Sequence, residues 1–147
     1  MNVISSVFAT EKQFQAAAFK CLNNEFPAYR GLVHHIPNES TVSAIERMNN
    51  AAYGVIPGVP DLSLPYHGRC WYSELKICTE KQLAAIKAGT LQAATFLSKA
   101  QKEWHDRYIN RNPAMPFAIL FPEWDEQHGD WLLQVRRWGR MVREFVR

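Results

Sequence analysis

The chain's 147 residues hold 17 Lys+Arg against 14 Asp+Glu, a net charge of +3, with 47% hydrophobic residues, 12% aromatics and three cysteines. That is the size and balance of one soluble globular domain spanning 1–147. No apolar run approaches the ~18 residues of a membrane helix, the N-terminus lacks the features of a signal peptide, and an odd cysteine count without paired spacing suits the cytoplasm, so no membrane partner is expected.

The first element begins at Thr10, where Thr10-Glu11-Lys12-Gln13 has the form of a capping box. Phe14, Ala17, Ala18, Cys21 and Leu22 recur at the spacing of a buried stripe, which predicts a helix from Glu11 to about Asn23. Glu11 and Gln15 stand one turn apart at the border of that stripe. Arg30–Ile36 reads as a strand ending at Pro37, with one of His34 and His35 pointing inward. Residues 38–53 are weakly helical in pattern.

Gly54–Pro60 holds two prolines and two glycines, which excludes a helix interior and makes it an irregular approach to a short strand at Asp61–Leu64. Pro65-Tyr66-His67-Gly68 is turn chemistry. Arg69–Ile77 is the clearest strand. Its alternation puts Trp71, Ser73, Leu75 and Ile77 on a core face and Cys70, Tyr72, Glu74 and Lys76 on the other. Thr79-Glu80-Lys81-Gln82 caps a short helix that stops near Gly89, and Ser98-Lys99-Ala100-Gln101 caps a helix that Pro113 ends. Pro116–Phe121 is a final buried strand. The elements predict an α/β fold, a mixed sheet flanked by helices, in the order α-β-β-β-α-β plus a C-terminal helix.

That last helix, at about 130–147, concentrates the charge. Residues 131–147 carry five arginines against one glutamate, a net +4, so the other 130 residues carry −1 of the total. Trp131, Val135, Trp138, Val142 and Phe145 fall on one helical face, with Arg136, Arg140, Arg143 and Arg147 opposite. An arginine face suits a polyanion's phosphates, a solvated docking helix, a dimer contact or, ranked last, a basic membrane-surface helix.

The chemistry rests on Asp61, Glu74 and Lys76. Two carboxylates on paired strands are hard-oxygen ligands suited to Mg²⁺ or Mn²⁺, and a lysine beside them suits a phosphate or an attacking water. Exposed strands also alternate acid and lysine without catalytic purpose, so the pattern alone assigns nothing. None of the five dispersed histidines has zinc-ligand spacing with a cysteine pair.

His35-Ile36-Pro37-Asn38-Glu39, Pro57-Gly58-Val59-Pro60-Asp61-Leu62, Tyr66-His67-Gly68, Glu74-Leu75-Lys76 and Leu97–Trp104 occur in the order seen in VRR-NUC nuclease domains, and over about residues 11–121 the chain resembles that family. The family belongs to the PD-(D/E)xK superfamily, and stand-alone members are common in bacteriophages. The resemblance implies a restriction-endonuclease-like core and a metal-dependent endodeoxyribonuclease, similar to Holliday-junction resolvases, that acts on branched DNA as a homodimer. It implies that Asp61, Glu74 and the Leu75 carbonyl bind the metal and that Lys76 contacts phosphate or water. Glu11 resembles the family's first-helix acid and Gln15 its neighbour. Gln101 resembles the glutamine after the catalytic strand, with Gln82 as a rival. Gln15, Asn38, His67, Arg136, Arg140 and Arg143 are the expected DNA contacts. Two departures stand out: the stretch between Lys76 and Gln101 is longer than usual, and Val135-Arg136-Arg137 lies well past Phe121 and is not equated with the name-giving motif. The alternative is a non-cleaving DNA-binding or assembly module with the same fold.

Overall fold

A computed structural model describes residues 8–36, 43–54, 56–111 and 117–145. Among them are five α-helices and four strands, and the fold is mixed α/β. The sheet runs β1(His34–His35), β2(Leu62–Tyr66), β3(Arg69–Leu75), β4(Phe117–Leu120) in spatial order. The first two junctions are antiparallel and β3–β4 is parallel, so the sheet is mixed as expected. No helix among the described residues is long and apolar enough to cross a membrane.

Helix α1(Glu11–Glu25) starts where the capping pattern puts it. Thr10 Oγ1 accepts the Gln13 N–H at 3.2 Å, while the Gln13 side chain accepts from Ala9 at 2.7 Å. Phe14, Ala18, Cys21 and Leu22 are buried along the stripe. With Leu62, Leu64, Trp71 and Leu75 of the sheet and Val135, Trp138 and Val142 of α5(Leu133–Phe145), they form the main core. Tyr72, on the other face of β3, meets Trp104 and Tyr108 of α4(Lys99–Arg111) edge-on at 5.3 and 5.2 Å. The sheet therefore lies between α1 and α5 on one side and α4 on the other.

Several expected boundaries shift for identifiable reasons. The predicted strand over 30–36 shrinks to β1, because a 3₁₀ turn at Pro27–Tyr29 and Gly31 at φ +79° bend the chain, and Leu32 and Val33 donate back to the Tyr29 carbonyl. Both histidines of β1 are exposed, so neither points inward. Strand β2 continues through Pro65 and Tyr66, which confines the turn to His67-Gly68. Between β1 and β2 lies α2(Ala44–Ala52), and α3(Glu80–Ala88) follows β3 with its capping box intact and Gly89 left-handed at its end.

The largest correction concerns Arg136, expected on a solvent-facing arginine stripe. It is 3% exposed. Residues 121–132 loop over the start of α5, and Arg136 binds Asp125 at 2.9 Å, Asp130 at 2.7 Å and Glu25 of α1 at 2.9 Å. Hydrogen bonds from Arg136 hold Glu25 and Asp130 below the usual carboxylate range. Burial pushes Asp125 upward, but hydrogen bonds from His128 and Arg136 prevail and hold it at about 2. Phe26 packs so closely on Gly139 that a Cβ there would lie 2.7 Å from the ring, and the Tyr29 hydroxyl donates to the Gly139 carbonyl at 2.6 Å. Arg136 is thus a bolt between α1, α5 and the loop that precedes α5.

Replacing Arg136 with Met leaves acids facing one another, and should cost on the order of 3 kcal/mol, the low end for breaking a buried pair, because Glu25 and Asp130 keep about a third of their side chains in water. A carboxylate with a depressed folded-state pKa stabilises above its ordinary value near 4 and loses that contribution as pH falls through the depressed one. The stability difference between wild type and Arg136→Met, measured by thermal melts, should be full above about pH 5 and shrink toward pH 2.

Candidate active site

The hairpin builds the site. His67 at φ +51° and Gly68 at φ +72° make the doubly left-handed two-residue turn whose twist matches antiparallel strands. This turn fixes the register Tyr66↔Arg69 through Leu62↔Ser73. Continuing that register one step brings Asp61 opposite Glu74. The Asp61 carboxylate accepts the Leu75 N–H at 2.8 Å, so Leu75 meets Asp61 through its amide.

Glu74 is 1% exposed. Its Oε1 accepts from Gln101 Nε2 at 2.9 Å, and its Oε2 is buried with no hydrogen-bond partner among the described residues. Burial first, and then the facing Asp61 carboxyl, push Glu74 far above the usual carboxylate range, with Lys76 pulling the other way. Two ionised acceptors cannot satisfy each other. A proton between them, or a cation, relieves the arrangement.

Lys76 follows the end of β3, held by its N–H to the Leu120 carbonyl at 3.0 Å. Its side chain is buried, and its Nζ lies 3.8 Å from Glu11 in the first turn of α1. Burial raises the Glu11 carboxyl, Lys76 draws it back, and Asp61 raises it again. Gln101, in the first turn of α4, uses both ends of its amide: Oε1 accepts the Ser98 N–H at 2.8 Å while Nε2 serves Glu74. Gly58, left-handed at φ +83°, lies so close to α4 that a Cβ on it would collide with the Ala100 carbonyl and sit 2.8 Å from the Gln101 nitrogen. The loop that delivers Asp61 and the helix that delivers Gln101 are therefore packed backbone to backbone.

The structure thus brings together Glu11, Asp61, Glu74, Lys76 and Gln101. Gln15 sits half-buried one turn beyond Glu11, and His67 is exposed at the hairpin tip, edge-on to Tyr66 at 4.3 Å. Arg143 is exposed with its guanidinium 5.6 Å from the Phe26 ring centre, and Arg140 is half-buried beside exposed Arg137. Asn38 lies outside the described residues. Gln82 closes the capping box of α3 as Gln101 closes that of α4, and Gln101 is the one whose amide also reaches Glu74. Among the described residues no group of three or more His, Cys, Asp and Glu side chains is placed to hold a metal ion; the acids that face each other are a pair, with Glu11 turned to Lys76. Sequence reasoning overlooked the close approach that Gly58 permits, although a Pro-Gly immediately before Val-Pro-Asp is the signal for it. No family model, curated protein or solved structure matches the chain.

Glu74→Gln provides a direct check on the carboxylate pair. An acid whose folded-state pKa is raised destabilises increasingly as pH climbs from its ordinary value near 4.5 toward the raised one. Glutamine retains an oxygen for Gln101 and gains an N–H₂ for Asp61. At pH 8, without divalent ions, the variant should melt above wild type, and the gap should close as pH is lowered toward 4.

Proposed function

We propose that the chain is a Mg²⁺- or Mn²⁺-dependent endodeoxyribonuclease of the VRR-NUC type, built on a restriction-endonuclease-like PD-(D/E)xK core and hydrolysing phosphodiester bonds in branched duplex DNA. The observation that carries this reading is the meeting of Asp61, Glu74 and Lys76 at the open end of β2–β3, with Glu74 held from one side by Gln101 and Lys76 drawn toward Glu11. Five side chains from distant stretches of sequence, all expected from the resemblance, meet at one place.

The donors suit a hard divalent cation. Asp61 and Glu74 supply carboxylate oxygens. The Leu75 carbonyl is the further ligand implied by the resemblance. When bound, such an ion lowers the pKa of water and offsets charge building on the phosphate. The protein's own groups do the rest. Lys76, in a site shielded from solvent, orients the phosphate or the attacking water, and Glu11 steadies Lys76. Gln101 keeps Glu74 from turning away. Arg137, Arg140 and Arg143 draw the DNA backbone toward the body, with His67 and Gln15 as further contacts. A four-way junction presents two symmetry-related strands, which calls for a homodimer with two such sites.

Purified protein should nick DNA in Mg²⁺ or Mn²⁺ and lose at least 100-fold in rate on Asp61→Ala, with four-way junctions and flaps cut faster than linear duplex. Activity that survives in Asp61→Ala moves catalysis elsewhere; activity in neither protein makes the fold a binding module. Neutralising Arg137, Arg140 and Arg143 together should weaken DNA binding and flatten the slope of log affinity against log salt by up to about 2–3. Arg136→Gln should instead act on stability, with its effect on the slope following only from unfolding.

A further inference from the structure

The glutamine that touches Glu74 is also a helix cap, and the two duties are not independent. A glutamine side chain has one acceptor end and one donor end. At the start of α4, Ser98 Oγ accepts the Gln101 N–H at 3.2 Å and the Ser98 N–H donates to Gln101 Oε1 at 2.8 Å, a reciprocal capping box. With its oxygen committed to Ser98, the amide presents only its NH₂ to Glu74, whose Oε1 accepts at 2.9 Å. The reversed amide would set an oxygen against a buried carboxylate and leave the Ser98 N–H facing an N–H₂.

We propose that Ser98 is a positioning residue: its hydroxyl closes the first turn of α4 and so holds its own main-chain N–H against Gln101 Oε1, which fixes the amide end that meets Glu74, ties down one oxygen of that carboxylate and leaves Oε2 for the cation. The inference deepens the nuclease reading and rests on it for the cation. Two further observations support it. Oε2 is the oxygen left buried without a partner among the described residues. And the loop leading to Asp61 presses on the same turn of α4 through Gly58, so the turn that Ser98 closes also bears on the second carboxylate. Helix cap, amide polarity and carboxylate orientation form one chain of hydrogen bonds from Ser98 to Glu74.

Ser98→Ala removes the hydroxyl that clamps the first turn, whereas Ser98→Thr keeps it. The measurements are the Gln101 side-chain N–H₂ signals in a ¹⁵N–¹H spectrum, identified by their loss in Gln101→Glu, the Mn²⁺ affinity of the DNA-free protein, and steady-state nicking. In wild type the two Gln101 amide protons should resonate apart from free glutamine and exchange slowly. In Ser98→Ala, which keeps the main-chain N–H but loses the hydroxyl that holds it in place, they should shift toward the free-glutamine position, Mn²⁺ affinity should fall at least fivefold, and kcat should fall about tenfold with KM for DNA unchanged. Ser98→Thr should restore all three. A Ser98→Ala protein that melts earlier but keeps the wild-type amide signals and Mn²⁺ affinity overturns the proposal, as do free-glutamine signals in wild type. If the amide is anchored in wild type and freed in Ser98→Ala, yet wild type neither binds Mn²⁺ nor nicks DNA, the positioning role of Ser98 stands and the nuclease reading fails alone.

Discussion

The register of the β2–β3 hairpin is the constraint on which the rest depends. A side-chain period of two means that slipping the pairing by one residue would send Glu74 into the core and Trp71 into the site. The slip is prevented at both ends. His67-Gly68 admits a two-residue turn, and Leu62, Leu64, Trp71 and Leu75 together fill the apolar face. The same choice that buries Trp71 therefore sets Asp61 and Glu74 against each other, an unfavourable contact that the core can sustain because it is made elsewhere.

Two kinds of charge burial divide the molecule. Around Arg136, three acids share one guanidinium and the hydrogen bonds are complete, so the charges fasten α5 and its loop to α1. Around Glu74 the acids outnumber what is there to satisfy them, with one amide on one oxygen and Lys76 drawn toward Glu11. A satisfied network stabilises a fold, whereas an incomplete one is poised for something to be added. Their positions agree with that contrast: the first joins the covering helices, and the second lies where the strands end.

Much of this was written plainly in the sequence. Three Ser/Thr-x-x-Gln patterns marked the starts of α1, α3 and α4, and alternation along Arg69–Ile77 separated core from site, because helix caps and strand faces depend on near neighbours. The five residues of the candidate site follow from the chain's resemblance to an ordered set of motifs. What could not be read was contact across long stretches of chain. A helical wheel puts Arg136 with Arg140 and Arg143, since it holds no record that a loop brings Asp125 and Asp130 overhead or that Glu25 comes from α1. The strand expected over 30–36 failed for a local reason: Gly31 and the turn that begins at Pro27 outweighed the β-branched residues around them.

The bolts that tie α1 and the 3₁₀ turn after it to α5 link positions 110 and 111 residues apart, Tyr29 to Gly139 and Arg136 to Glu25. Contacts of such separation in sequence are slow to form, because a long loop must close before they repay its entropy. A chain emerging from the ribosome from its N-terminus carries α1 and the β2–β3 hairpin long before the helix that covers them. During that interval Phe14, Leu22 and Trp71 have no complete core to enter, and a hairpin with an apolar face waits uncovered. Helix α5, synthesised after the elements it covers, is thus what ends their exposure to aggregation.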